Sequence, residues 1–241
     1  MVDFSRSDLV AGVVGTGTMG RGIAQVLAQC GARTLVYDAQ AGAAEKARQS
    51  IGEALRRMAE KGRLADPEGV LRRVEIVSSP DALAPCHVVV EAIVEDLAAK
   101  RALFGGLEKV VREDCILASN TSSLSVTAMA AACKRPGRVA GYHFFNPVPV
   151  MKIVEVVDGV LTEPWVGEAL VGLAKRFGDR LARLRGRARL RVVEERARAA
   201  LGEHLRDAAA HGAGADDAGN EFASGKVHHR GEGYCSRGRW L

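Results

Sequence analysis

The stretch Gly15-Thr-Gly-Thr-Met-Gly20 decides the fold of this chain. It directly follows a short apolar run, residues 9–14, and opens a segment, residues 18–30, whose apolar side chains recur at helical spacing. Three glycines at this spacing, between a strand and a helix, are typical of the turn that binds the phosphates of a dinucleotide. The pattern therefore predicts a Rossmann-type α/β fold.

Glycine is required at each of the three positions of the turn for a different physical reason. Gly15 permits the tight turn, Gly17 lets the backbone approach a pyrophosphate, and Gly20 lets helix and strand pack closely. Thr18 and Met19 lie at the helix N-terminus, where free N–H groups and a partial positive charge favour phosphate. The alternative is that the glycines only punctuate a turn.

A carboxylate follows the second predicted strand. Asp38 closes residues 34–37, the position at which an acidic side chain accepts hydrogen bonds from the ribose hydroxyls of a dinucleotide. Because a carboxylate would repel a 2′-phosphate, the sequence favours NAD over NADP as the cofactor. The alternative is that Asp38 is only a turn residue.

Strands and helices alternate along the rest of the first 178 residues. This order predicts βαβ units and a doubly wound, mostly parallel sheet, with a helical insertion after strand two. The further strands are expected at 74–77, 87–91, 115–118, 138–142 and 151–157, the helices at 41–61, 67–73, 97–111, 125–133 and 163–177, and a proline-bounded loop at 144–149.

The chain changes character after Gly178. Most of the net charge of +5 lies beyond this point, where arginines crowd residues 180–198 and glycine, histidine and small residues dominate 208–241. We expect an NAD-binding domain over 1–178 and a basic tail over 179–241. The tail is expected to begin with an Arg-rich helix and to be mostly disordered over 199–241. The alternative is an anionic-surface or nucleic-acid patch. Nucleic acid is not the expected partner, because no aromatic residues interleave the arginines.

The cysteines and the apolar runs bear on the compartment. The five cysteines are dispersed without paired spacing, which favours a reduced, cytoplasmic protein over a disulfide scaffold. No run approaches the roughly 20 apolar residues that a membrane span requires. We expect neither a membrane partner nor a metal site.

Four further segments carry polar groups at or next to the carboxyl ends of predicted strands, where ligands bind in open α/β sheets. They are Val90-Glu-Ala-Ile-Val-Glu-Asp96, Ser119-Asn-Thr-Ser-Ser-Leu124, Gly141-Tyr-His-Phe-Phe-Asn-Pro-Val-Pro-Val-Met151 and Lys152-Ile-Val-Glu-Val-Val157.

Together these segments closely resemble the NAD-binding domain of L-3-hydroxyacyl-CoA dehydrogenases, including 3-hydroxybutyryl-CoA dehydrogenases. The resemblance runs from about residue 9 to residue 177, and its His-Phe-Phe-Asn-Pro segment is highly specific to that family. It implies NAD as cofactor and an acyl-CoA as substrate, with the helical insertion serving acyl-CoA binding.

The resemblance places the catalytic histidine at His143 and its paired carboxylate at Glu155. The chemistry fits, because oxidation of a secondary alcohol requires a base for the hydroxyl proton, and a neutral histidine suits that proton near pH 7. A carboxylate beside the ring fixes its tautomer and stabilises the imidazolium. A strand end, a proline-braced turn and a returning strand would bring the two side by side. The alternative is that His143 is an ordinary loop histidine.

Other residues receive roles from the resemblance. Ser122 contacts the 3-oxygen of the substrate, whereas the alternative is a helix N-cap. Asn120 and Asn146 are cofactor-side or structural groups of the same pocket. Glu95 and Lys100 contact the nicotinamide-side ribose; the alternatives are an exposed glutamate at a helix start and a solvated lysine.

The resemblance ends where the basic tail begins. Family members continue into a helical domain that opens with a DTPGF-type segment, completes the site with an asparagine and forms the homodimer interface. Here Val192-Val193-Glu194 occupies the place of that asparagine. We expect a truncated or frameshifted second domain and a missing dimer interface.

The expected activity is NAD-dependent oxidation of L-3-hydroxyacyl-CoA to 3-ketoacyl-CoA, in fatty-acid β-oxidation or butanoate metabolism, impaired by loss of the second domain. The alternatives are a remnant that binds NAD without turnover and a dehydrogenase of another 3-hydroxy acid.

Overall fold

The first strand, β1 (Val10–Val14), lies in the interior of the sheet. An interior strand covered on both faces is rich in apolar side chains, as this one is. The computed structural model describes residue 4, residues 8–151 and 153–177, and the backbone of residues 180–185. In that part of the chain eight strands form one sheet, in the order β3-β2-β1-β4-β5-β6-β7-β8. The other strands are β2 (Arg33–Tyr37), β3 (Val74–Ile76), β4 (Val88–Glu91), β5 (Ile116–Ser119), β6 (Val139–Phe144), β7 (Ile153–Asp158) and β8 (Arg180–Arg185).

The sheet is parallel from β3 to β6, antiparallel between β6 and β7, and parallel again between β7 and β8. Strand order reverses between β1 and β4, which defines the crevice in which doubly wound sheets bind ligands. The predicted Rossmann-type architecture is thereby confirmed.

Helices cover both faces of the sheet. They are α1 (Thr18–Gln29), α2 (Ala43–Glu60), α3 (Pro67–Arg72), α4 (Leu97–Leu107), α5 (Val126–Ala130), α6 (Val148–Met151) and α7 (Pro164–Arg176). One apolar cluster packs α1 and α7 against the sheet through Leu27 and Leu170, and the other packs α4 and α5 through Phe104 and Met129. The helical insertion after β2 consists of α2 and α3.

Two expectations about local structure are wrong. The stretch 144–149 was expected to be a loop, but Phe144 is the last residue of β6 and α6 begins at Val148. The Arg-rich stretch begins as the strand β8 instead of a helix. The outer edge of β7 offers unpaired backbone groups, and pairing with them overrides the helix propensity of arginine.

The sheet therefore continues one strand beyond the expected domain boundary at 178. The expectations of a disordered tail, and of an Arg-rich helix after residue 185, fall on residues 186–241, outside the described residues. None of the described helices is long and apolar enough to cross a membrane.

Candidate active site

The glycine turn between β1 and α1 leaves no room for side chains at two of its three glycines. Gly15 has a φ of +92°, and a Cβ there would lie 2.6 Å from the carbonyl oxygen of Ala92. A Cβ at Gly20 would lie 1.8 Å from the carbonyl oxygen of Gly15. The Gly15 N–H donates to the carbonyl oxygen of Tyr37 at 2.9 Å, which ties the turn to the end of β2.

Gly17 differs because a Cβ there would meet no atom within 4 Å. It precedes α1 as the N-cap, without a side-chain hydrogen bond to the first turn. Open space above uncapped N–H groups is what a pyrophosphate requires. Thr18 is exposed beside this space, and Met19 packs partly into the core. The residues present therefore fit the phosphates of a dinucleotide.

Asp38 lies beside the turn at the end of β2. Its carboxylate accepts hydrogen bonds from the N–H and hydroxyl of Thr16, both at 2.7 Å, and from the N–H of Gln40 at 2.9 Å. Burial by itself raises the pKa of Asp38, but the hydrogen bonds from Thr16 and Gln40 outweigh burial and lower the pKa. A cavity of about 270 Å³ lined by Gly17 and Asp38 is where the ribose of a dinucleotide would lie.

His143 and Glu155 face each other across the antiparallel pair of β6 and β7. His143 Nδ1 lies 3.1 Å from Glu155 Oε2, and the two side chains are 14% and 2% exposed. The expected juxtaposition is therefore present. Phe145 packs against the imidazole with ring centroids 4.6 Å apart. A buried carboxylate at Nδ1 leaves Nε2 as the ring nitrogen that can exchange a proton with a ligand.

Asn120 joins the strands that carry these residues. Its Oδ1 accepts a hydrogen bond from the N–H of Phe144 at 2.8 Å, next to His143, and its own N–H donates to the carbonyl oxygen of Glu91 at 2.8 Å. Asn120 thus fixes the end of β6 relative to β5 and β4, a structural contribution to the pocket.

Ser122 lies on an exposed turn after β5 that is held by Glu95. Glu95 Oε1 accepts hydrogen bonds from the hydroxyl of Thr121 and from the N–H groups of Ser122 and Ser123, the last two at 3.1 and 3.4 Å. Burial raises the pKa of Glu95, but the Thr121 hydrogen bond and the charge of Lys100 outweigh it, so that the pKa is lowered.

Lys100 is not the solvated lysine of the alternative interpretation, since its side chain is only 1% exposed. Its Nζ lies 2.6 Å from Glu91 Oε1 and 3.2 Å from Glu95 Oε2. Sequence reasoning missed Glu91, although an acidic residue ending the apolar strand Val88–Glu91 was a readable signal. Thr16 was also missed, because a threonine between two glycines carries no distinctive signal.

Asn146 follows β6 and lies in the same cleft as Thr18 of the glycine turn. It is exposed, its peptide bond to Pro147 is cis, and it lines a cleft of about 310 Å³ between α1, α2 and α6. Thr18 and Arg21 line the same cleft from α1. Asn146 thus connects the end of β6 to the helical insertion.

Most of this chain matches one known protein family. Residues 10–185 match the family described as 3-hydroxyacyl-CoA dehydrogenase, NAD binding domain. The chain belongs to the 3-hydroxyacyl-CoA dehydrogenase family. NAD is therefore the cofactor of this domain.

Curated relatives share this part of the chain. The probable 3-hydroxybutyryl-CoA dehydrogenase of Deinococcus radiodurans is 42% identical over 168 residues, covering 69% of this chain and 60% of the relative. The mitochondrial hydroxyacyl-coenzyme A dehydrogenase of Sus scrofa is 44% identical over 174 residues, covering 69% of this chain and 55% of the relative. The chain thus spans a little over half the length of these relatives.

Solved structures agree with the dehydrogenase family. The 3-hydroxybutyryl-CoA dehydrogenase of Escherichia coli matches with a TM-score of 0.72 and 44% identity, over 74% of this chain and 38% of that one. The (S)-3-hydroxybutyryl-CoA dehydrogenase of Ralstonia eutropha matches with a TM-score of 0.72 and 36% identity, over 74% of this chain and 64% of that one.

Proposed function

We propose that this chain catalyses the NAD-dependent interconversion of an L-3-hydroxyacyl-CoA and its 3-ketoacyl-CoA. The observation that carries the proposal is the His143–Glu155 pair, with Nδ1 and Oε2 3.1 Å apart at the ligand-binding edge of the sheet. The names of the dehydrogenase relatives support the same chemistry.

In this proposal His143 is the general base for oxidation and the general acid for reduction. Glu155 accepts the Nδ1–H hydrogen bond, which fixes the tautomer in which Nε2 takes the hydroxyl proton of the substrate. Because the Glu155 carboxylate lies buried beside the ring, it also stabilises the imidazolium as that proton arrives. NAD held at the glycine turn and Asp38 would supply the hydride acceptor for the carbon that bears the hydroxyl group.

Substrate and cofactor are held by separate groups. Gly15, Gly17 and Gly20 shape the phosphate site, and Asp38 accepts hydrogen bonds from a ribose. We assign Ser122 to the 3-oxygen of the substrate, because its hydroxyl is exposed on the turn that Glu95 holds at the same sheet edge.

Three further residues complete the proposed pocket. Glu95 is 38% exposed and is proposed to reach the nicotinamide-side ribose, whereas Lys100 would act on that ribose only through Glu95, because its ammonium is enclosed. Asn146 lines the cleft that Thr18 also lines, and we assign it to the cofactor side of the pocket. We assign acyl-CoA binding to the helical insertion, for a reaction of fatty-acid β-oxidation or butanoate metabolism.

A reducing compartment such as the cytoplasm suits the thiols of this domain. Cys30, Cys86, Cys115 and Cys133 are all free in the described part of the chain. Burial raises the pKa of Cys86 to about 12, which keeps this thiol protonated and unreactive at neutral pH.

The first prediction tests the catalytic assignment. We expect His143→Ala to lower acetoacetyl-CoA-dependent NADH oxidation by about 10²- to 10⁴-fold, the usual range for loss of a general acid–base group. NAD affinity, measured by calorimetry, should stay within about twofold because the NAD-binding turn is untouched. Glu155→Gln should lose activity in the same direction, since it removes the charge that stabilises the imidazolium.

Glu75→Gln is the matched control for Glu155→Gln, because Glu75 is a carboxylate on β3 of the same sheet, in a surface ion pair with Arg33. Turnover by His143→Ala within about tenfold of the unaltered chain would refute the catalytic role. NAD binding without any turnover by the unaltered chain would refute the proposed activity and leave an NAD-binding domain.

A further inference from the structure

A fully buried carboxylate lies at the end of β4, behind the turn that carries Ser122. Glu91 is 0% exposed and is in register with Val14 on β1 and Ser119 on β5. Its Oε2 accepts a hydrogen bond from the Ser119 hydroxyl at 2.7 Å, and its Oε1 accepts from the N–H of Ile93 at 2.8 Å. Each oxygen is thus held from a defined direction.

The counter-ion of Glu91 is equally buried. Lys100, in the first turn of α4, brings its Nζ to 2.6 Å from Glu91 Oε1. Burying two charges carries a large desolvation cost, and a pair of apolar side chains of similar volume would often be as stable. Stabilisation of the fold therefore does not by itself account for this ion pair, which favours a role in positioning neighbouring groups.

The second contact of Lys100 points to that role. Its Nζ also lies 3.2 Å from Glu95 Oε2, while the other oxygen of Glu95 binds the turn at Thr121, Ser122 and Ser123. An ammonium held by Glu91 on one side can bind Glu95 from only one direction. Contacts of the described residues therefore run from Glu91 through Lys100 and Glu95 to the N–H of Ser122.

We infer that Glu91 is a positioning residue, which fixes Lys100 so that Glu95 holds the Ser122 turn in one conformation. The inference deepens the proposed function, since it rests on Ser122 contacting the substrate. Glu91 itself touches no reacting atom. An apolar residue could fill its space, but it could not direct a buried ammonium towards Glu95.

The test compares Glu91→Gln, Lys100→Met and the double variant in the full chain. Hydrogen exchange followed by mass spectrometry reports on the amides of residues 121–124 without any need for activity. We expect about fivefold or greater acceleration there in each single variant, because Glu95 then loses its fixed position. Since the two residues act in series, the double variant should exchange no faster than the faster single variant.

The matched control is Arg33→Gln with Glu75→Gln, which removes an ion pair from the β2–β3 edge of the same sheet and should leave exchange at 121–124 unchanged. If a single variant fails to fold because one buried charge is left unpaired, exchange at 121–124 in the double variant is compared with exchange in this control. Unchanged exchange at 121–124, acceleration spread evenly over β4 and β5, or additive effects would each overturn the inference.

Kinetics separate this inference from the proposed function. In an active chain, Glu91→Gln should lower kcat by about tenfold while NAD affinity changes by less than about threefold, and adding Ser122→Ala should cost little more. Equal losses from Ser122→Ala in both backgrounds would contradict the positioning role. An unaltered chain without turnover would refute the proposed function, while the exchange measurement would still decide the role of Glu91.

Discussion

At the scale of single residues, the site is defined by which oxygen and nitrogen atoms face each other. Glu155 and Glu91 are both buried carboxylates, but their partners differ. Glu155 faces the imidazole of His143, a side chain of the type used for proton transfer, whereas Glu91 faces the amino group of Lys100. The His143–Glu155 pair suits proton transfer, and the Lys100–Glu91 pair suits a fixed structural contact.

The pKa of Asp38 gives a prediction about acid stability. Because its pKa is lowered on folding, Asp38 contributes stability that is fully present above its unfolded value of about 3.9 and is lost as pH falls through the lower folded value. Asp38→Asn should therefore flatten the dependence of the urea midpoint on pH below about pH 4.

Urea unfolding measured from pH 6 to pH 2.5 checks this. Glu168→Gln, an exposed carboxylate on α7, serves as the control. An unchanged acid slope in Asp38→Asn would mean that the hydrogen bonds from Thr16 and Gln40 do not favour the charged carboxylate.

At the scale of elements, the junction of β1 with α1 separates two uses of glycine. Gly20 is required by packing, because a Cβ would collide with the Gly15 carbonyl oxygen at 1.8 Å. Gly17 is not required by packing, since its surroundings are open and its φ of −59° suits any residue. The open space at Gly17 therefore leaves room for a ligand.

This contrast predicts opposite outcomes for two alanine substitutions. Gly20→Ala should lower the free energy of unfolding by about 2 kcal/mol or more, because backbone atoms must move. Gly17→Ala should cost no more than about 1 kcal/mol as an N-cap change but weaken NAD binding at least about tenfold.

Chemical unfolding and calorimetry on both variants measure these effects. Undiminished NAD affinity in Gly17→Ala would show that the pyrophosphate does not approach at this position. Undiminished stability in Gly20→Ala would contradict the close contact between the helix and the turn.

At the scale of the whole molecule, the crevice between β1 and β4 lies where the sheet reverses its strand order, between the two apolar clusters. A ligand bound there would contact groups supplied by the end of β2, the glycine turn and the loops after β4 and β5. Binding should therefore stabilise the folded domain as a unit and not one element alone.

NAD at 100 times its dissociation constant should stabilise the domain by about 2.7 kcal/mol. For a domain of this size, that gain corresponds to an increase in Tm of roughly 5–10 °C. Differential scanning fluorimetry against NAD concentration measures the shift. Gly17→Ala, which should fold but bind NAD weakly, is the control, and an equal shift in that variant would contradict specific binding at the turn.

Much of this protein follows from local sequence alone. The glycine turn, Asp38 and the alternation of strands and helices predicted the Rossmann-type sheet, because these features depend on backbone sterics and on hydrophobic periodicity within short segments. The pairing of His143 with Glu155 was anticipated from the resemblance to the dehydrogenase family, and the connection through α6 allows their two strands to lie side by side.

Tertiary structure alone decided the rest. Lys100, in the first turn of α4, is buried against Glu91 at the end of β4, and β8 is a strand because the edge of β7 offers backbone partners. Neither outcome is encoded in a local pattern, since burial and ladder pairing depend on which elements become neighbours in space. The glycine turn could thus be recognised from sequence, whereas the buried charges behind Ser122 become visible only in the folded chain.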